Sequence, residues 1–237
     1  MKKWFLKRIY GRIINRIFNP FFGINLKPMP FELQKTDKCL IIAPHPDDES
    51  IGCGGILNLH PDNFDVICLT SPSEERKEEF KAAMDFAGIK NYQMYDLEDK
   101  HIIDGYDKFK VINISNYDYI FIPFVFDQHK DHKAVSLLLE KHLKNTKHKE
   151  NLKIVYYEVW SAMSLPQYFV DISKVAQKKA EMINLHKSQI ATKDYAQKIL
   201  GLNSYRGLLK SIDYVESFSI LNEKEFFEIM KNLKWGE

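Results

Sequence analysis

Residues 39–55 read Cys39-Leu40-Ile41-Ile42-Ala43-Pro44-His45-Pro46-Asp47-Asp48-Glu49-Ser50-Ile51-Gly52-Cys53-Gly54-Gly55. The first five are apolar without interruption, the pattern of a strand covered on both faces; a strand with one wet face would alternate. Two prolines and three acids break the run. A Gly-rich helical pattern then continues through Leu59. The stretch is therefore strand, loop, helix, with its chemistry-bearing side chains in the loop.

Outward from it the same alternation repeats. Strands are expected at 66–70, 92–95, 119–124, 154–159 and 214–220. Helices are expected at 74–86, with Gly88 as C-cap, from 129 to about 143, and at 175–186, 194–209 and 223–233. Residues 96–117 give no clear pattern. Alternating strands and helices predict an α/β fold with a mostly parallel sheet and helices on both faces. The chain shows no internal repeat or domain-sized linker, so residues 23–237 are expected to form a single domain.

The 237 residues are 45% hydrophobic and 28% charged with a net charge of +2, which excludes wholesale disorder and a polycation built for nucleic acid. Cys39, Cys53 and Cys68 are odd in number and lack C-x-x-C spacing, which argues against a disulfide framework or a cysteine zinc site and for a reducing cytoplasm. Residues 1–22 hold Lys2, Lys3, Lys7, Arg8, Arg12 and Arg16 and no acid. Their apolar residues gather on one side at helical spacing, and Pro20 would end the helix. A basic amphipathic helix of this kind suits the surface of an anionic membrane, at its cytoplasmic face, or a neighbouring subunit, or its own domain. It is too interrupted by cations to span a bilayer.

A second cluster, His129-Lys130-Asp131-His132, follows the strand expected at 119–124 just as His45-Pro46-Asp47-Asp48-Glu49 follows the first. Ligands of open α/β sheets bind beyond the carboxyl ends of the strands, so two such clusters can converge. His45 and Asp48 are three residues apart, as are His129 and His132. Two imidazoles and one carboxylate make an open three-ligand site for Zn²⁺, and the same set suits Fe²⁺. Asp47, beside a ligand, can take a proton from water. His129 can donate to a developing oxyanion, and Asp131 can fix its tautomer. Against this stands the bland reading, in which Asp47 or Asp48 merely caps the following helix; two clusters at two strand ends outweigh it.

The motif Ala43-Pro44-His45-Pro46-Asp47-Asp48-Glu49, with Gly52-Cys53-Gly54-Gly55 behind it, resembles the signature of the PIG-L/LmbE-like zinc-dependent de-N-acetylases. Colinear likenesses continue through Arg76-x-x-Glu79 with Ala82-Ala83 and Gly88, His129-x-Asp131-His132, His186-x-Ser188-Gln189, Arg206-Gly207 and Tyr214-Val215-Glu216-Ser217-Phe218. The resemblance implies a Rossmann-like fold and hydrolysis of the N-acetyl group of an N-acetylglucosamine-type sugar, free or lipid-linked. It carries over His45, Asp48 and His132 as zinc ligands and Asp47 as general base. It makes His129, helped by Asp131, the group that stabilises the tetrahedral intermediate, and Arg76 a substrate contact. Two departures are visible: Pro44 precedes the first histidine where Ala is usual, and Lys130 replaces a frequent Pro. The alternatives are hydrolysis of another amide, a sugar-binding or scaffold protein on the same fold, and an Fe(II) oxygenase.

Overall fold

The computed structural model describes residues 28–191 and 193–233. The helix expected over residues 1–22 lies outside the described residues. Among them the strands are β1 (Met29–Pro30), β2 (Cys39–Ala43), β3 (Phe64–Thr70), β4 (Asn91–Leu97), β5 (Tyr119–Pro123), β6 (Lys153–Tyr157), β7 (Tyr168–Asp171) and β8 (Val215–Asn222). They form one sheet in the order β1-β7-β8-β6-β5-β2-β3-β4. Pairings from β4 across to β6 are parallel, whereas β8 runs antiparallel to both β6 and β7. The expected class holds, with one antiparallel strand inserted late.

The helices are α1 (Asp48–Leu59), α2 (Glu74–Ala87), α3 (Tyr106–Phe109), α4 (Lys130–Leu143), α5 (Ala176–Asn184), α6 (Lys187–Ile190), α7 (Tyr195–Gly207) and α8 (Glu223–Asn232). Every residue of β2 is buried, and its side chains part alternately. Cys39 and Ile41 join the core beneath α1, α2 and α5. Leu40 and Ile42 join the core beneath α4 and α8, with Val135, Leu139, Phe226 and Met230. That is why β2 reads as a solid apolar run. Gly88 ends α2 at φ 77°, the left-handed conformation in which a side chain would be strained. The stretch 96–117, unassigned from sequence, ends β4 at Leu97 and then makes turns around α3 that bury Ile102, Phe109, Ile112 and Ile114.

Helix α1 is buried through nearly its whole length, from Asp48 to Leu57. In its middle the carboxylate of Glu216, at the start of β8, accepts the N–H groups of Gly55 (2.6 Å) and Ile56 (2.8 Å). Lys179 of α5 pairs with the same carboxylate at 2.6 Å, and both side chains are buried. A Cβ on Gly55 would lie 2.5 Å from Ile172 Cγ2 and 2.9 Å from Glu216 Oε1, so only glycine lets the carboxylate reach the helix backbone.

Candidate active site

β2 and β5 are neighbours in the sheet, and the chain departs from them in opposite directions, β3 and β4 beyond one and β6 beyond the other. This is the topological switch point, where a crevice opens at the carboxyl ends of the strands. The loop after β2 carries His45 and Asp47, and α1 begins at Asp48. The loop after β5 carries Asp127 and His129, and the first turn of α4 carries Asp131 and His132. The two clusters meet here.

Asp48 sits between two imidazoles. Its Oδ2 is 3.2 Å from His45 Nδ1 and 3.3 Å from His132 Nε2. Donors bound tetrahedrally at about 2.1 Å to one zinc ion stand roughly 3.4 Å apart, so these separations suit a small divalent cation. Both ring nitrogens of His132 and Oδ1 of Asp48 are buried with no hydrogen-bond partner, although carboxylates face the ring. Buried polar groups left in this state are rare; a cation would satisfy His132 Nε2 and the Asp48 carboxylate, while Nδ1 faces Asp127. The ring nitrogens of His45, His129 and His132 also lie within 4.8 Å of one another, and His45, Asp99 and Asp131 form a second such group. The residues present therefore fit a metal.

The electrostatics follow from this crowding. Burial works against charge on His45, but Asp131 and Asp48 outweigh it and push its pKa up to about 10. Burial likewise opposes His132, and Asp48 and Asp127 raise it to about 9. Burial opposes charge on Asp48 too, yet the two histidines hold its carboxyl far below the usual carboxylate range. Asp47 goes the other way. Burial, then the Asp48 charge, raise it to about 7 against the pull of His186 and Arg76.

Asp47 is also the conformational outlier of the site. Its φ of 126° lies where L side chains are rarely found. The loop is over-determined around it: its N–H donates to Glu49 Oε2 (3.2 Å), and its C=O accepts the N–H of Ile51 (2.9 Å). Arg76 Nη2 donates to Pro46 O at 2.5 Å and stands 3.5 Å from Asp47 Oδ1. Arg76, expected as a substrate contact, is thus seen bracing the loop, while its Nε has no partner.

Asp131 differs from expectation as well. Its carboxylate turns to His45 Nε2 (3.2 Å) and the N–H of Lys100 (2.7 Å), not to His129. His129 is instead fixed by the backbone: the N–H of Asp131 donates to His129 Nδ1 at 3.2 Å. Nδ1 is then an acceptor, which leaves the proton on Nε2. Burial, then the charges of His45 and His132, lower the His129 pKa and keep that ring neutral.

Two participants escaped sequence reasoning, Asp127 and Asp99. Asp127 is fully buried; it accepts the N–H groups of His129, Trp160 and Ser161 and lies 3.4 Å from His132 Nδ1. Its place directly after a strand, two residues before His129, was the available signal. Asp99 reaches His45 Nε2 at 3.1 Å from a turn with no legible pattern. His186, of the His186-x-Ser188-Gln189 likeness, is buried and 3.0 Å from Ser50 Oγ, whose hydroxyl donates to Glu49. Nearby, Glu79 of α2 accepts from the N–H and hydroxyl of Ser188 at 2.7 and 2.6 Å. The motif segments scattered along the chain thus pack together around one loop. His142, by contrast, is a core histidine bonded to Ile112 O at 2.8 Å.

The sequence model of the PIG-L family, described as GlcNAc-PI de-N-acetylase, matches residues 40–143. That span contains all seven residues singled out above as catalytic, metal-ligating or substrate-contacting. Two solved structures share the fold. One is a conserved protein from Thermus thermophilus, with a TM-score of 0.64 and 21% identity over 78% of this chain and 94% of that one. The other is the N,N'-diacetylchitobiose deacetylase of Pyrococcus horikoshii in complex with its inhibitor, with a TM-score of 0.67 and 20% identity over 94% of each chain. The likeness to PIG-L and LmbE-like proteins read from the motifs holds.

Proposed function

We propose, from the premise that residues 40–143 match the PIG-L family, a metal-dependent hydrolase. It removes the N-acetyl group of an N-acetylglucosamine-type sugar in a glycoconjugate or its precursor. One observation carries the reading: a buried carboxyl group, Asp47, stands beside a convergent His/Asp donor set with unsatisfied buried atoms. We assign His45, Asp48 and His132 as the ligands. Asp48 is preferred to His129 because its Oδ1 is buried and unpartnered, whereas His129 Nδ1 already accepts a backbone N–H. The metal is Zn²⁺ or Fe²⁺, and when bound it polarises an amide carbonyl and makes water a better nucleophile.

The protein's own groups divide the rest. Water adds to the acetyl carbonyl carbon as its proton passes to the Asp47 carboxylate. A carboxylate placed beside the donor set can take this proton and return it to the leaving nitrogen. The C–N bond breaks, giving acetate and a free amine. Neutral His129 donates Nε2–H to the oxygen that becomes negative, a role whose loss typically costs about 10²–10³ in rate. Arg76 and Glu49 hold the Asp47 loop, and Asp131 orients His45. The buried free thiols of Cys39, Cys53 and Cys68 support a reducing compartment, the cytoplasm.

The test is release of primary amine, read with fluorescamine, from soluble, nucleotide-linked and lipid-linked N-acetylglucosamine compounds, with metal-loaded and chelated protein. Metal-dependent release supports the reading and names the substrate class. No release from any member, with metal demonstrably bound, overturns it in favour of another amide or a binding role.

A further inference from the structure

Two side chains on one face of α2 reach two different parts of the chain. Arg76 Nη2 donates to Pro46 O and stands 3.5 Å from Asp47 Oδ1. Three residues on, Glu79 accepts the N–H and the hydroxyl of Ser188. Residues at this spacing are neighbours on a helix surface, so one stretch of α2 grips both the Asp47 loop and the segment that follows α5.

That segment returns to the loop through His186, two residues before Ser188. His186 Nε2 lies 3.0 Å from Ser50 Oγ and 3.4 Å from Glu49 Oε1. The single hydroxyl proton of Ser50 goes to Glu49 Oε1 at 2.7 Å, so Ser50 Oγ accepts from His186 and Nε2 is the donor. The other oxygen of Glu49 accepts the N–H of Asp47. Glu49 and His186 are both buried, and a buried carboxylate is costly unless it is paired and hydrogen-bonded. Burial opposes charge on His186, but Glu49 and then Asp47 raise its pKa, which suits it to that pairing. The contacts therefore form a closed ring. It leaves Asp47 through Glu49, crosses to His186, passes by Ser188 and Glu79 to α2, and comes back through Arg76. The residue on which it closes is the one held at φ 126°.

We propose that His186 is a positioning residue for Asp47: through Glu49 it holds the loop in its positive-φ turn, and the Ser188–Glu79 bonds hold His186 in place. Its catalytic consequence rests on Asp47 being the base. A reacting group misplaced by about 1 Å can cost about 10²-fold in rate.

The first readout is steady-state kinetics with metal analysis on wild type, His186→Leu and His186→Gln, whose amide can still donate to Ser50. His186→Leu should lose about 10–100-fold in kcat with KM and metal stoichiometry unchanged, and His186→Gln should recover part of that loss. An unchanged kcat in His186→Leu, or equal losses in both variants, overturns the proposal. The second readout needs no turnover. It is the difference in urea midpoint between Asp47→Gly and Asp47→Asn, measured in the wild-type and His186→Leu backgrounds. The difference should shrink by at least about half without His186, because the turn is then free to relax. A difference of the same size in both backgrounds, or none in the wild type, overturns the proposal. Absence of amine release from the wild type overturns the hydrolase reading alone, and the urea comparison then decides the positioning role. If His186→Leu does not fold, Ser188→Ala, which removes one bond to Glu79 and keeps the imidazole, takes its place in both readouts.

Discussion

Asp47→Gly is expected to make the protein more stable while removing its hydrolytic activity. The backbone at Asp47, with φ 126°, lies where only glycine is at ease. Such outliers at active sites cost about 1–3 kcal/mol and persist because their surroundings enforce them. Here Glu49, Ile51 and the Arg76–Pro46 bond do so. Glycine relieves the strain but raises the entropy of the unfolded chain, which returns roughly 0.5–1 kcal/mol. The net gain is about 0.5–2 kcal/mol, or about 1–8 °C in Tm for a chain of this size. The proper reference is Asp47→Asn, which also lacks the charge but keeps the Cβ. Urea unfolding of both variants, chelated and metal-loaded, isolates the backbone contribution. If Asp47→Gly is no more stable than Asp47→Asn, the strain argument is wrong.

Asp47→Asn itself should retain bound metal by elemental analysis while turnover falls about 10²–10⁴-fold; full turnover would remove Asp47 as the base. His132→Ala should lower metal stoichiometry, and unchanged metal content would refute its assignment as a ligand. Lys179→Met leaves the buried Glu216 carboxylate without its cation and should cost about 3–5 kcal/mol in urea unfolding, against near neutrality if the pair contributes nothing. His142 has its pKa lowered by burial, so the folded state resists the proton that the unfolded chain takes up below about 6.5. Its contribution is therefore absent above that pH and destabilising below it. Between pH 7 and pH 5 the wild type should lose more stability than His142→Gln, and parallel losses would contradict this.

The sequence was most readable where burial is two-sided or periodicity is long. Cys39–Ala43 and Tyr119–Pro123 are solid apolar runs, and both emerge as central strands within a residue of expectation. The amphipathic pattern from Glu74 with its glycine stop located α2 to within one residue. The strand Tyr168–Asp171, between β1 and β8, went unseen, because four residues paired to distant partners leave no local signal. The site divides in the same way. Spacing and motif brought His45, Asp47, Asp48, His129, Asp131 and His132 to one crevice. Neither could show that the Asp131 carboxylate serves His45, which depends on how α4 is docked. Asp99 and Asp127 join through loops whose paths are set by tertiary packing, and a sequence pattern is blind to those.

The clamp on α1 bears on how the protein is made. β2 and then the helix that carries Asp48 are synthesised early, and β3 and β5, which share its core, follow. The carboxylate that grips its backbone belongs to Glu216, and that carboxylate's cation to Lys179. Chains grow from the amino terminus. On the ribosome, therefore, all seven expected site residues are present long before the clamp arrives, and the helix that carries Asp48 stays unlatched until β8 slots in beside β6. The last-made of the described strands completes the setting of a site whose residues were made first, which ties the finished crevice to a late step of folding.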